Sequence, residues 1–160
     1  MTAAAGAALV LSAAILALRR YYARQRQCRD LLWSFAAALG EMESAIRWQR
    51  TPVPALLETL QTREHCGLWF RQILDKMQSD ITLQLAWENT FRQLSDAELR
   101  DLLCRISWTG DAQRLEGALA RARAEAEQLY EKRCTADRHS RRVTTTATLC
   151  GAGLMIILLL

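Results

Sequence analysis

The apolar positions recur with a helical period along almost the whole chain. Leu32, Phe35, Leu39, Met42 and Ile46 step by three and four residues, which puts them in one stripe of a long first helix. That helix is expected to end near Arg50. Thr51-Pro52-Val53-Pro54 stops it, because a proline disfavours helical backbone at the residue before it. Thr51 is the expected cap of a second helix, with Pro52 at its first position and Leu56, Leu57 and Leu60 on its apolar face. A third helix should hold Leu68, Trp69, Ile73, Leu74 and Met77. Ser79-Asp80 then caps a fourth, with Ile81, Leu85, Trp87 and Phe91. Ser95-Asp96-Ala97-Glu98 has the form of a capping box and opens a fifth helix carrying Leu99, Leu102, Leu103 and Ile106. Gly110 and Asp111 mark the next turn, Gly110 ending one element and Asp111 capping the next. From there Leu115, Leu119, Ala122, Ala126 and Leu129 form a second long stripe.

No stretch alternates as a strand does, and two Pro with seven Gly in 160 residues leave little for a turn-rich sheet. The fold class predicted is therefore all-α, a six-helix bundle. The first and last helices run in opposite senses and pack side by side at the shallow angle of helical bundles, burying both stripes. Phe35 and Leu39 are expected to face Leu119 and Ala122. The four short helices close the far end. About 120 residues suffice for one such core.

Two other runs lack the charged positions of these stripes. Residues 3 to 18 and 143 to 160 carry no charge. An eighteen-residue helix spans roughly 27 Å, close to the hydrocarbon thickness of a bilayer. The expectation is an N-terminal anchor over 1–18, a central helical domain over 19–142 and a C-terminal anchor over 143–160. The first run has its arginines after it rather than before it, so it reads as a retained anchor and not as a cleaved signal peptide. Ala147 and Gly151 make a small-residue step that suits close packing of the two segments.

The charges sharpen this layout. Arg19, Arg20, Arg24, Arg26 and Arg29 follow the first run, and Lys132, Arg133, Arg138, Arg141 and Arg142 precede the second. Residues 30–131 hold eleven basic and sixteen acidic residues. The net charge of +4 is thus a property of the membrane flanks. A nucleic-acid binder would carry its basic face on the folded domain, so nucleic acid is excluded as a partner. Basic flanks stay on the cytoplasmic side, which makes the central domain cytoplasmic and the protein a multi-pass protein of the cell membrane.

Chemistry is hard to find. Five cysteines stand at 28, 66, 104, 134 and 150 with no Cys-x-x-Cys spacing. His65-Cys66 and the Cys134–His139 pair lack zinc spacing and a completing set. There is no phosphate-binding glycine loop and no locatable nucleophile triad. Glu41 and Glu43, like Glu125 and Glu127, lie on different faces of a helix. The chain reads as a non-enzyme without catalytic residues, cofactor or metal. Trp48 and Trp108 fall outside the core stripes. Together with the turns at Pro52, Gly110 and Asp111 they are the candidate contact surface, at the end of the bundle furthest from lipid.

Several features together resemble a known family, stage III sporulation protein AB of endospore-forming bacteria. They are the N-terminal apolar run followed by arginines, and Met42-Glu43-Ser44-Ala45-Ile46 in place of a Leu-Glu-x-Glu-Ile stretch. Thr51-Pro52-Val53 stands at a Thr-Pro-Leu turn. The Ala86-Trp87 pair, the Gly110-Asp111-x-Gln113 turn and the Gly-containing apolar run at the end complete the set. The resemblance implies a domain similar to the cytoplasmic helical domains of F-type inner-membrane proteins in type II secretion. It implies a scaffold subunit of the secretion-like stage III channel complex, in the mother-cell membrane around the forespore. The implied partners are the lipid bilayer and other stage III sporulation proteins, including a secretion-type ATPase; a homo-oligomer is left open. Two alternatives stand beside it: an F-type platform protein of a pilus or secretion system outside sporulation, and a membrane-bound sensor or enzyme whose helical domain binds a ligand.

Overall fold

The computed structural model describes the backbone of residues 2–49 and 51–159, and the side chains of 12, 13, 15–49, 51–137 and 146. Six α-helices follow one another: α1 (Thr2–Ser44), α2 (Val53–Leu60), α3 (Gly67–Met77), α4 (Leu83–Phe91), α5 (Ala97–Cys104) and α6 (Ala112–Leu159). Among the described residues there is no strand. The chain divides into two compact units. One comprises Cys28–Tyr130; the other comprises Met1–Gln27 with Glu131–Leu160.

In the Cys28–Tyr130 unit, α1 and α6 are antiparallel neighbours. Trp33 meets Tyr130 with ring centroids 5.2 Å apart, Arg123 Nη1 lies 3.6 Å from Glu43 Oε2, and Arg47 Nε lies 2.9 Å from Glu116 Oε1. Each step along α1 is matched by a step back along α6. The same three pairs set the register, and it differs from the expected one. They bring Leu39 level with Ala126, and Ile46 level with Leu119, about two turns from the pairing of Phe35 and Leu39 with Leu119 and Ala122. Periodicity specifies which face of a helix is buried but not how far one helix slides along another.

The first stripe, Leu32, Phe35, Leu39, Met42 and Ile46, is buried, as are Leu119, Ala122 and Ala126 of the second, whose end residues Leu115 and Leu129 are half-buried. The alanines of α6 let its backbone approach α1. At the centre of the core is an aromatic cluster. Phe35 packs edge-on against Phe70 at 5.8 Å and Phe91 at 5.4 Å, and Trp87 sits 4.6 Å from Phe91. Edge-to-face pairs of this kind add about 0.5–1.5 kcal/mol beyond their burial. Trp87 has no exposure, and its indole Nε1 donates to the Leu103 carbonyl at 2.8 Å, so its one polar group is satisfied.

The short helices differ from the expectation at their ends and on two faces. Leu68 is 73% exposed and Leu85 52% exposed, while Phe70, one step from a predicted core position, is buried. On an eleven-residue helix several stripes fit one sequence, and the neighbouring helices select among them. The N-cap of α2 is Pro52 rather than Thr51, whose hydroxyl donates instead to Gln49 Oε1 at 3.3 Å. The N-cap of α4 is Thr82, and Asp80 lies upstream with a left-handed φ of 60°. The N-cap of α5 is Asp96, not Ser95: its carboxylate accepts from the Leu99 amide at 3.3 Å. A helix start that offers two adjacent capping side chains is decided by backbone placement, which composition does not specify.

The α2–α3 connection is pinned from α1. Ser34 Oγ donates to the Glu64 carbonyl at 2.6 Å and lies 3.0 Å from Cys66 Sγ. His65 takes a left-handed φ of 64° so that the chain can double back. Gly67 is buried there, and a Cβ on it would stand 2.3 Å from the Gln61 carbonyl oxygen, so only glycine fits without backbone movement.

Among the described residues no helix is long and apolar enough to cross a membrane. The expected anchors, 1–18 and 143–160, lie largely outside the residues whose side chains are described.

Candidate functional site

One end of the Cys28–Tyr130 unit collects most of the polar irregularity. After Ser44 the α1 helix widens into a π-helical turn, Ala45–Gln49, and the Thr51 amide reaches back to the Ala45 carbonyl at 3.4 Å. Widened turns of this kind are rare and recur at functional positions. The extra residue swings Trp48 outward, where 78% of it is exposed. The Arg47 guanidinium lies 5.8 Å from the Trp48 ring and also pairs with Glu116 at the start of α6. Arg47 thereby ties the exposed indole to the turn that precedes α6.

That turn is built by Gly110, whose φ of +121° suits glycine, and by Asp111, whose carbonyl accepts from the Leu115 amide at 3.1 Å. Gly110, Asp111, Pro52 and Trp48 are all exposed. The Arg47–Glu116 pair places the Trp48 and Asp111 turns at the same end of the unit. Trp108 behaves differently. It is only half-buried, but its ring lies 4.6 Å from Trp87, and its amide donates to Gln84 Oε1 at 2.8 Å. Four of the five candidate residues are therefore exposed, while Trp108 lids the aromatic core.

Beside this end lies a feature the sequence did not single out. A groove of about 660 Å³ runs along α1 from Trp33 to Gln49, between α2 and α6. Its floor is small, with Ala37, Gly40 and Ser44, and its walls include Leu60 and Arg123. Arg123 lies between Glu127 Oε1 at 2.8 Å and Glu43 at 3.6 Å. The hydrogen bond and charge of Glu127, with Glu43 behind it, push the arginine further up from its ordinary value. The one sequence signal at this place is the spacing of Ala37, Gly40 and Ser44, three small residues on one face of a helix, which marks room for close approach but not an open groove.

Burial raises the thiol of Cys66 above its ordinary range, and the Ser34 contact and the Arg63 charge offset this only in part. Cys66 is fully buried, which suits a packing role for it. His65, its neighbour, is exposed. Among the described residues, no three His, Cys, Asp or Glu side chains come together as a metal site.

Compared with known protein families, the chain matches the model for stage III sporulation protein AB over residues 3–160. The chain belongs to the stage III sporulation protein AB family. The match runs through the apolar ends as well as the helical unit, so the whole chain is one family unit. No curated protein and no solved structure matches it significantly. Membership in the stage III sporulation protein AB family points to a role in stage III of sporulation.

Proposed function

We propose that this protein is a non-enzymatic scaffold subunit of the secretion-like stage III sporulation complex, held in the mother-cell membrane by both ends, with residues 19–142 in the cytoplasm. The family match over 3–160 carries this reading, because it includes both apolar runs together with the helical unit between them. The charge layout supports it. The basic residues crowd next to the apolar runs, as cytoplasmic membrane flanks do. The exposed Trp48, set beside Pro52 and Asp111, supports a docking role, since large exposed aromatics are enriched at interaction hot spots.

In this reading the Trp48 and Asp111 turns contact a secretion-type ATPase on the cytoplasmic side. Asp111→Lys should weaken capture of that ATPase by the full chain without changing its unfolding transition. Unchanged capture by a folded variant would remove this surface from the scaffold. Orientation is tested separately with a cysteine at the exposed Gln72. A membrane-impermeant thiol reagent added to intact cells should leave it unmodified, and modification would overturn the cytoplasmic placement.

A further inference from the structure

The groove along α1 is built differently from the closed core beside it. Trp33, Ala37, Gly40 and Ser44 follow one another by four, three and four residues, so they form one row on its α1 side. The three small residues leave the helix backbone open to close approach, and Leu56 and Leu60 of α2 add an apolar wall. At the rise of an α-helix the lining from Trp33 to Gln49 runs roughly 24 Å. Its walls are helices, and among the described residues there is no strand whose edge could take up an extended peptide. The apolar stripe of a helix of about sixteen residues matches both the length and the shape.

Charge narrows the occupant. Three carboxylates, of Glu41, Glu43 and Glu127, meet two guanidiniums, of Arg63 and Arg123, at the margin of the groove. Arg63 pairs with Glu41. Arg123 serves the other two carboxylates at once and lies against Gly40, where a Cβ would stand 3.3 Å from its side chain. The margin is thus left with a surplus of negative charge. Glu127 stands three residues before Tyr130 on one face of α6, and the Tyr130 ring lies 5.2 Å from that of Trp33. Trp33 is 54% exposed. Two aromatic faces beside a carboxylate suit a cation such as the head of a Lys or Arg side chain.

We propose that this groove docks a basic amphipathic helix of a partner protein. The apolar stripe of that helix lies on Ala37, Gly40 and Ser44, and a Lys or Arg beside the stripe reaches Trp33, Tyr130 and Glu127. The docking uses only the Cys28–Tyr130 unit, so it goes beyond the scaffold reading above and stands independently of anchoring and of the Asp111 turn. An acidic helix would be repelled by the surplus carboxylate. A second copy that met the groove with its own groove would bring two concave faces of like charge together.

The probe is a synthetic, dye-labelled helix of about sixteen residues with one stripe of leucines flanked by lysines. Its binding to the full chain in phosphatidylcholine nanodiscs is read by fluorescence anisotropy, with empty nanodiscs as the blank. It should bind saturably, and the same peptide with glutamates for lysines should bind at least about tenfold more weakly. Ala37→Leu fills the row and should weaken binding by about tenfold or more. Trp33→Ala should have an effect of about the same size, and Trp33→Phe, which keeps an aromatic face, should recover most of the binding. Glu127→Gln should weaken binding by about two- to fivefold. Glu125→Gln, on the opposite side of α6 beside Arg105, should leave it unchanged. Unfolding in urea checks each variant, and if Ala37→Leu alters the transition, the surface change Glu127→Gln decides. Equal binding of the lysine and glutamate peptides, or wild-type binding by folded Ala37→Leu or Glu127→Gln, would overturn the proposal. So would absence of binding, and a dimer of the full chain that Ala37→Leu abolishes would then assign the groove to a second copy.

Discussion

The two units of this chain reach order by different means. Cys28–Tyr130 has twelve basic and fifteen acidic residues, a closed aromatic core and helices of eight to eleven residues between its two long ones. The unit of 1–27 and 131–160 has nine basic and two acidic residues, and its two end runs carry no charge. In the first unit, alternation of apolar and polar positions decides which side is buried. In the second, no such alternation exists within the runs, and the charges beside them carry the pattern. A helix that is apolar all round is made for surroundings that are themselves apolar, whereas a striped helix needs only a partner for its stripe. Tertiary packing therefore explains the first unit, and under the anchored reading proposed above the surroundings would explain the second.

The comparison breaks most sharply at Phe35. It has no exposure and meets both Phe70 and Phe91. Phe35→Ala should destabilise the unit by about 3–5 kcal/mol, read as a lower denaturant midpoint in tryptophan fluorescence of the full chain. Tyr21→Ala, an exposed aromatic of the other unit, should leave that transition within about 0.5 kcal/mol. Equal effects of the two changes would mean that one common core stabilises both units.

A finer distinction concerns how α5 starts. Asp96→Ala should cost about 1 kcal/mol, the usual loss when an N-cap acceptor is removed. Ser95→Ala should cost a few tenths at most, because Ser95 is exposed and Asp96 holds the Leu99 amide. The reverse ranking in chemical unfolding would restore the serine as the cap.

The smallest effect is a dependence on pH. Burial keeps the Cys66 thiol protonated beyond its ordinary range, so the folded chain holds that proton longer than the unfolded chain does. This stabilisation is complete below the ordinary thiol value of about 8.5 and is lost as pH rises through it toward the raised folded value. The denaturant midpoint should therefore fall in mildly alkaline solution. Cys66→Ala should make the fall shallower. Some slope should remain, because Cys104 is raised by burial in the same direction. An unchanged slope in Cys66→Ala would show that the thiol keeps its proton no longer when folded than when unfolded.

Much of the candidate surface was legible before the fold. Trp48 lies off the apolar stripe of α1, two residues from Ile46, and Pro52 and Gly110 punctuate the chain whatever the packing. Trp108 shows where such reading stops. It too lies off a stripe, but it follows the helix in a connection, where side-chain direction is not periodic. Only the closeness of Trp87 shows that it lids the core. The groove along α1 was missed because small residues on a helix signal close approach without saying whether a neighbour fills the space.

The sequence by itself determined the number of helices, their order, the stripe that each long helix buries, and the crowding of positive charge beside the uncharged runs. These follow from local periodicity, from proline and glycine stereochemistry and from charge counting, all of which act within a few residues of the chain. Tertiary structure alone decided the slide of α6 along α1, the faces of α3 and α4, the capping residue of α5, the widened turn at Ala45–Gln49 and the burial of Cys66 beneath Ser34. Each of these compares nearly equal local choices, and the contacts that separate them come from residues far away in the chain.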